Sequence, residues 1–309
     1  MSEIFDLVII GSGPSGLTAA IYGVRANKKV ALITGDLIGG QLTKTTEVEN
    51  YPGFALPIMG PDLMEAMYEQ AKNQGVIMIE NLADKIEKID DIFNIQTGSE
   101  FIKSRSVVIA TGANPKLLGI EGHLYGYGIS TCATCDGSFF KNKIVAVIGG
   151  GNSALEEALY LSNLAQKVFL IHRRSEFRGE AVMQDRVFEK AKNGNIEIMW
   201  PYKVNKFIGE KVLEAIELQN TETDEIMTLQ ASGAFVAIGH TPNTQFLKDL
   251  LDLDENGYIK EKINTKIPGL FVAGDVFDDR YRQAVTAAGF GCMAAIEALH
   301  YLLKSPSLS

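Results

Sequence analysis

Residues 7–16 read LVIIGSGPSG, four apolar residues that pass directly into a turn with glycine at its first, third and sixth positions. The apolar run predicts a buried strand, and the pattern from Leu17 to Ala26 predicts a helix. Residues 30–33, VALI, predict a second strand. Because both strands are apolar throughout, we expect a parallel sheet that is covered on both faces.

The same pattern restarts in the middle of the chain. Residues 143–148 predict a strand, residues 149–154 (GGGNSA) a turn, the segment from Leu155 to Leu164 a helix, and residues 167–171 another strand. The two turns begin at residues 11 and 149, which are 138 residues apart. That spacing is too long for a solenoid repeat and predicts two separate doubly wound domains.

Two short stretches that combine glycine with proline, residues 112–115 and 239–242, predict the domain boundaries. The second domain would then be inserted into the first. We therefore predict an α/β protein with two doubly wound, Rossmann-like domains. The first comprises residues 1–113 and 242–309, and the second comprises residues 114–241.

Composition restricts the possible functions. The 309 residues include 29 Lys and Arg against 38 Asp and Glu, a net charge of −9. Nucleic-acid binding needs a basic face, so this balance disfavours it. No run reaches about 18 consecutive apolar residues, and the N-terminus lacks the basic region of a signal peptide. Three cysteines favour a redox or metal role in the cytosol over a secreted disulfide scaffold.

The first glycine-rich turn predicts a dinucleotide site. Glycines let the backbone approach a pyrophosphate, and the start of the following helix supplies N–H donors. An acid that binds the ribose is expected about 20 residues later, at the end of the second strand. That strand ends in Thr34-Gly35 with no acid directly at its end. Asp36 is a possible substitute, and the sequence leaves its role open.

The second turn, with Gly149 and Gly151, predicts a second nucleotide site. The strand after it ends in His172, followed by Arg173, Arg174 and Arg178. Guanidinium groups bind a 2′-phosphate, whereas an acid would bind a free 2′-hydroxyl, so the pattern favours NADPH over NADH. The alternative is a solvated basic loop.

Cys132 and Cys135 form a C-x-x-C motif that is followed directly by Asp136. A structural metal site needs about four ligands, but the chain adds only Cys292 and four histidines, so we predict no metal. A redox pair is complete in itself, because one thiolate attacks and the other resolves. A buried inert pair is the alternative. Asp136 could transfer a proton or merely occupy a turn. We expect Cys292, elsewhere in the chain, to be a packed core thiol.

Residues 268–276, PGLFVAGDV, predict a buried strand that ends at Asp275. The position suits a residue that faces a cofactor crevice, because ligands of doubly wound sheets bind beyond the carboxyl ends of the strands. The alternative role is a cap for the helix that follows.

Together these motifs resemble the low-molecular-weight, bacterial-type thioredoxin reductases, from about Leu7 to Leu302. Residues 39–42 (GGQL), 47–53 (EVENYPG) and 239–244 (GHTPNT) add to the resemblance. The most specific element is a C-x-x-C just ahead of the second nucleotide motif, since glutathione-reductase-like relatives carry the redox pair in the first domain.

The resemblance implies two cofactors, FAD and NADPH. It places FAD on Gly11, Ser12, Gly13, Pro14, Gly16, Thr34, Gly35, Gly39, Gly40, Gln41, Leu42, Asn50, Thr111, Gly112, Asp275, Arg282, Gln283 and Ala284. It places NADPH on Gly149, Gly151, Asn152, Ser153, His172, Arg173, Arg174 and Arg178.

The resemblance also implies an electron path from NADPH through the flavin to Cys132–Cys135 and on to a thioredoxin disulfide. Cys135 would lie nearer the flavin, Cys132 would attack thioredoxin, and Asp136 would act as acid and base. A cytoplasmic homodimer whose domains rotate is expected, with no nucleic-acid or membrane partner.

The nearest alternative is a reductase of another dithiol carrier or of a peroxidase partner. The larger peroxidase reductases carry an additional N-terminal module, and here the sequence starts at the flavin strand, which argues against that form. A non-catalytic nucleotide-binding or redox-sensing module is the alternative from a different class.

Overall fold

The structure, a computed structural model, describes residues 4–304. Its strands are β1 (Ile4–Ile10), β2 (Val30–Ile33), β3 (Glu47–Val48), β4 (Ile58–Met59), β5 (Ile77–Ile79), β6 (Lys85–Ile89), β7 (Ile92–Thr97), β8 (Glu100–Ile109), β9 (Ala113–Pro115), β10 (Ile129–Ser130), β11 (Ile144–Ile148), β12 (Lys167–Ile171), β13 (Ile196–Met199), β14 (Tyr202–Ile208), β15 (Ala215–Asn220), β16 (Ile226–Gln230), β17 (Gly233–Val236), β18 (His240–Pro242) and β19 (Leu270–Val272). Its α-helices are α1 (Pro14–Arg25), α2 (Gly60–Asn73), α3 (Ala133–Asp136), α4 (Asn152–Leu161), α5 (Ala181–Asn193) and α6 (Ala284–Lys304).

The chain divides into two compact units, and the second is inserted into the first. Unit 1 comprises Met1–Asn114 and Thr241–Ser309, and unit 2 comprises Pro115–His240. Each junction lies one residue from the predicted position. The glycine–proline stretches at the junctions contain β9 and β18, which pair as a two-stranded ladder rather than forming irregular linkers.

Unit 1 is built on a seven-stranded sheet in the order β5-β2-β1-β8-β7-β6, with β19 pairing to the end of β8. The strands β5, β2, β1, β8 and β19 run parallel, and β6, β7 and β8 form antiparallel pairs. Side chains alternate across β1, so Leu7 and Ile9 lie in one core with helix α1, while Val8 and Ile10 lie in the opposite core.

Unit 2 has a parallel five-stranded sheet in the order β10-β17-β11-β12-β13 and a separate antiparallel sheet, β14-β15-β16. Helices α4 and α5 cover one side of the parallel sheet, and side chains of the antiparallel sheet, such as Phe207 and Ile216, pack on the other side. The prediction of two doubly wound, Rossmann-like α/β units is confirmed.

Helix α6 has 21 residues and is long and apolar enough, by length and composition alone, to cross a membrane. Its sequence contains no uninterrupted apolar run of that length, because Glu297 and His300 lie within it. One stripe of the helix, including Gly291, Ala294 and Ala298, is buried, and the helix packs against α1 and β8. The burial of that stripe identifies α6 as a core helix of unit 1.

Candidate active site

The first glycine-rich turn joins β1 to α1 and leaves an open cradle at the start of the helix. Gly11 has φ +110°, and a Cβ there would lie 2.3 Å from the carbonyl oxygen of Ala110. A Cβ on Gly16 would lie 1.8 Å from the Gly11 oxygen, whereas one on Gly13 would meet nothing within 4 Å. Pro14 begins α1, where its missing N–H costs no hydrogen bond. Gly11 and Gly16 therefore permit close packing, and Gly13 leaves room for a ligand.

Ser12 connects this turn to two other predicted segments. Its buried hydroxyl donates to the carbonyl oxygen of Thr34 at 2.7 Å and accepts from the N–H of Gly39 at 3.0 Å. A Cβ on Gly40 would lie 3.3 Å from the Cα of Gly13. Gly35 follows Thr34 in a left-handed conformation, with φ +79°. The structure thus brings together six predicted residues from three separate segments.

Two further contacts in unit 1 join predicted residues to distant parts of the sequence. Gln41, which shares the 3-10 helix Gly40–Lys44 with Leu42, donates from Nε2 to Asn114 Oδ1 at 2.5 Å. Asn50 donates from Nδ2 to Gln283 Oε1 at 3.3 Å. Leu42 packs against the core on the α1 side of the sheet.

Asn243 organises the loop that contains Thr111 and Gly112, although it was not a predicted site residue. Its Nδ2 donates to the Thr111 carbonyl at 2.8 Å, and its own carbonyl accepts from Thr111 Oγ1 at 2.8 Å. Its N–H donates to the Gly112 carbonyl at 3.0 Å. Asn114 also donates to the Asn243 side chain. The only signal for Asn243 was its place in the family-like stretch 239–244.

The strand predicted to end at Asp275 is shorter, because β19 ends at Val272 and Asp275 lies three residues beyond it. Its Oδ1 is buried with no hydrogen-bond partner among residues 4–304. Burial, and then the negative charge of Asp278, raise the pKa of Asp275 to about 7, while Arg282 opposes the shift. A hydroxyl group that donated to Oδ1 would satisfy this oxygen.

Asp278 holds the loop that precedes α6. Its carboxylate accepts from the N–H groups of Arg280, Tyr281 and Arg282 at 3.1–3.3 Å. The loop carries Arg282 and Gln283 to the first residue of α6, Ala284. The open cradle at Gly13, the unsatisfied oxygen of Asp275 and this loop fit a ligand that has both a pyrophosphate and hydroxyl donors.

The second glycine-rich turn, between β11 and α4, repeats the geometry of the first. A Cβ on Gly149 would lie 2.3 Å from the Ala237 oxygen, while one on Gly151 would meet nothing within 4 Å. Asn152 starts α4, and its Oδ1 accepts from the N–H of Glu180 at 2.7 Å. Ser153 follows in the first turn of the helix. Unit 2 therefore also has an open cradle at a helix start.

His172 packs directly on this turn. A Cβ on Gly150 would lie 2.4 Å from the imidazole Cε1, which explains why residue 150 has no side chain. The ring is buried, and its Nε2 has no hydrogen-bond partner among the described residues. Burial chiefly lowers the pKa of His172, and the charges of Arg178, Arg174 and Arg173 lower it further, against a hydrogen bond with the Glu176 backbone.

The three arginines are exposed, and within residues 4–304 none of their guanidinium groups forms an ion pair or a hydrogen bond with a carboxylate. The backbone of Arg178 is fixed by its N–H, which donates to the Gly150 carbonyl at 2.7 Å. Phe177 anchors the same loop, with its ring centroid 4.7 Å from that of Trp200. The loop is thus held firmly while its cationic groups stay available for an anion.

The C-x-x-C cysteines are bonded to each other, with their Cα atoms 5.3 Å apart. Cys132 is the N-cap of α3, and its sulfur accepts from the N–H of Cys135 at 3.2 Å. Thr134 Oγ1 lies 3.4 Å from the same sulfur. An N–H donor favours the ionised form of a sulfur, so this contact would stabilise a Cys132 thiolate after reduction.

Asp136 ends α3, and burial raises the pKa of its carboxyl above the usual range. Ser130 opposes the shift through a hydrogen bond to Asp136 Oδ2. A carboxyl with a raised pKa can hold and release a proton beside the sulfur pair. Ser130 is a second residue that sequence reasoning missed.

Among residues 4–304 no group of three or more His, Cys, Asp or Glu side chains could hold a metal ion. Cys292 is a free thiol that is half-buried, so the prediction of a packed core thiol is corrected. Its helix turns it towards Tyr22 on α1, and a hydrogen bond with Cys292 is the main cause of a raised pKa of Tyr22.

The family model for pyridine nucleotide-disulphide oxidoreductases matches residues 5–291. The chain belongs to this family. It is similar to a thioredoxin reductase from Rickettsia conorii, with 50% identity over 96% of this chain and 98% of the relative. It is similar to one from Escherichia coli O157:H7, with 47% identity over 96% and 95%. The crystal structure of thioredoxin reductase from Streptococcus pyogenes has a TM-score of 0.92 and 37% identity, covering 99% of this chain and 100% of that one.

Within the family, the chain is placed among the bacterial-type thioredoxin reductases by these full-length similarities. Membership implies the use of a flavin and a pyridine nucleotide. The bonded Cys132–Cys135 pair fits the redox-active dithiol of such an enzyme.

Proposed function

We propose that this protein uses NADPH to reduce the disulfide of oxidised thioredoxin, through bound FAD and the Cys132–Cys135 pair. The observation that carries the proposal is that pair itself: a disulfide at the start of α3, with an N–H directed at Cys132 and a half-buried carboxyl at Asp136. A structural disulfide needs no neighbouring proton donor, whereas thiol–disulfide exchange does.

FAD is assigned to unit 1. Its pyrophosphate would lie at the Gly13 cradle, with Ser12, Thr34 and Gly40 around it. The predicted contacts Asp275, Gln283 and Ala284 follow from the family resemblance, and they are supported by the unsatisfied oxygen of Asp275. The network of Asn243 with Thr111 and Gly112 would hold the loop at the end of β8.

NADPH is assigned to unit 2. Its pyrophosphate would lie at Gly151, with Asn152 and Ser153 at the start of α4, and its 2′-phosphate would lie at Arg173, Arg174 and Arg178. These guanidinium groups have no carboxylate partner within residues 4–304, which supports a role in binding an anion. His172 would shape the site by packing on Gly150.

The residues around the Gly13 cradle would hold FAD, which would supply two-electron transfer from the nicotinamide. The Cys132–Cys135 disulfide would accept those two electrons and become two thiolates. The Cys132 thiolate then attacks one sulfur of the partner disulfide, which forms a mixed disulfide and releases the other sulfur as a thiolate. Asp136 gives a proton to that leaving sulfur. The Cys135 thiolate attacks the Cys132 sulfur, so the internal disulfide re-forms and the second partner sulfur leaves as a thiolate. That thiolate takes a proton from water, and the partner is then a dithiol.

Two further assignments rest on the similarity to known thioredoxin reductases. By that similarity we expect a homodimer and a cytoplasmic location. Reduction of another dithiol carrier, or of a peroxidase partner, remains the second candidate, since the exchange chemistry is the same and only the docking surface differs.

The test is NADPH oxidation by the purified protein with oxidised thioredoxin as the sole acceptor. Fast oxidation that requires thioredoxin supports the proposal. In the matched control, Cys135→Ser, we expect bound FAD that NADPH still reduces, with no thioredoxin reduction. Wild-type NADPH oxidation that ignores thioredoxin would redirect the substrate assignment to another dithiol or to oxygen.

A further inference from the structure

Ser130 is the last residue of β10 and lies two residues before the cysteine pair. Its backbone is held by the parallel ladder to β17, where it pairs with Phe235. The residue is 7% exposed. A buried serine needs hydrogen-bond partners, and these partners reveal what the hydroxyl does.

The hydroxyl joins the acid to the cysteine pair. Its oxygen accepts from the N–H of Cys132 at 3.0 Å, and its proton is donated to Asp136 Oδ2 at 2.5 Å. The Cys132 carbonyl lies 3.4 Å from the same oxygen, a longer contact that competes poorly for the single proton. The result is a chain of hydrogen bonds from the Cys132 amide through Ser130 to the Asp136 carboxylate.

We propose that Ser130 is a positioning residue whose hydroxyl fixes the Asp136 carboxylate beside the Cys132–Cys135 pair. Loss of that hydroxyl should then change the pH range in which the carboxylate exchanges protons. This role deepens the proposed exchange reaction and rests on it. Ser130 itself touches no substrate: it acts through Asp136 and through the backbone of Cys132.

The direction of the effect follows from the two causes that act on Asp136. Burial raises the pKa of its carboxyl, and the Ser130 hydrogen bond lowers it. No charged side chain is among the causes of the shift in this pKa. Helix α4 packs against α3, and its titratable groups are Glu156, Glu157 and Tyr160. None of these three groups is among the causes that shift the pKa of Asp136. After reduction, the two thiols are further groups that can titrate beside it.

Without the hydroxyl, burial acts unopposed and the carboxyl keeps its proton to a higher pH. A hydrogen bond to a charged group is strong enough to move a titration midpoint by on the order of one pH unit. Threonine keeps the hydroxyl and suits a strand, so Ser130→Thr should preserve the chain of hydrogen bonds.

The experiment is an infrared titration of the oxidised holoprotein, in which the cysteines are bonded and do not titrate. The carbonyl band of the protonated Asp136 carboxyl is identified by its loss in Asp136→Asn. We expect its midpoint to rise by about one pH unit in Ser130→Ala. It should return to the wild-type value in Ser130→Thr. Thr131→Val is the matched control, because the Thr131 hydroxyl contacts Tyr125 and not Asp136.

An unchanged midpoint in Ser130→Ala overturns the inference, and so does an equal shift in Ser130→Thr or in Thr131→Val. The pH profile of thioredoxin reduction should move in parallel with the infrared midpoint. If the wild-type protein reduces no thioredoxin, the proposed substrate is wrong, while the infrared titration still decides the role of Ser130.

Discussion

Replacing Asp275 with asparagine should stabilise the flavin-free protein and weaken the binding of the flavin. Asp275 has a buried Oδ1 without a partner, and burial together with the charge of Asp278 raises its pKa to about 7. Asparagine has nearly the same shape but carries no charge. The substitution therefore removes the cost of burying a carboxylate and leaves the local packing intact.

The magnitude follows from the difference between the folded and unfolded states. An aspartate titrates near pH 3.9 in an unfolded chain, about 3 units below the folded value of about 7. At 1.36 kcal/mol per unit, this difference corresponds to about 4 kcal/mol. Because the folded pKa is raised, the favourable contribution is complete below pH 3.9 and is lost as the pH rises through 7.

The assay is urea unfolding of flavin-stripped wild type and Asp275→Asn between pH 4 and pH 8. Other titrating groups are common to both proteins, so the difference in unfolding free energy isolates residue 275. We expect that difference to be small near pH 4 and to grow to about 4 kcal/mol in favour of the variant at pH 8.

With an excess of FAD, the wild type should become the more stable of the two proteins. Ligand binding stabilises the folded state, and the variant binds the flavin more weakly. A difference between the two proteins that stays constant from pH 4 to pH 8 would refute the reasoning. Such a result would mean that Asp275 is ionised in the folded protein at low pH and that its Oδ1 has access to water.

Three other changes test the assignments. Arg173→Ala with Arg174→Ala should cost about 2–4 kcal/mol in binding NADPH and should change the KM for NADH far less; equal effects on both would contradict the phosphate assignment. Cys135→Ser should keep the flavin reducible by NADPH in stopped-flow absorbance and abolish thioredoxin turnover, and retained turnover would exclude the two-thiol relay. Asp278→Ala releases three backbone N–H groups, so we expect the FAD dissociation constant, measured by flavin fluorescence, to rise about tenfold or more; unchanged affinity would show that the loop does not depend on Asp278.

The sequence predicted the features that depend on local chemistry. An apolar run followed by spaced glycines specifies a strand, a tight turn and a helix, and β2 and β12 have the predicted bounds. The helices begin earlier than predicted, at Pro14 and Asn152, because their first turns lie within the glycine-rich motifs. The residues of those first turns are types that are common in turns, so hydrophobic periodicity does not assign them to the helices.

The side chains that organise the candidate site could not be predicted in the same way. Asn243 meets Thr111 across 132 residues of sequence, and Asn50 meets Gln283 across 233. No local pattern marks such pairs, because the fold alone brings them together. Ser130 was overlooked for a different reason: a single serine before a C-x-x-C has no distinctive spacing, and only its buried hydroxyl shows that it joins the acid to the pair.

The pairing of β9 with β18 means that unit 2 starts and ends at the same place. The N–H of Lys116 donates to the Gly239 carbonyl at 2.9 Å inside unit 2, and the N–H of Asn243 donates to the Gly112 carbonyl at 3.0 Å inside unit 1. On each side of the junction, a backbone hydrogen bond within one unit thus joins the two chain segments. A turn of a few residues could replace residues 115–240 at little entropic cost, because the ends to be joined are already adjacent. The inserted unit could therefore be exchanged for another by cutting the chain at these two neighbouring positions, and the seven-stranded sheet of unit 1 would stay intact.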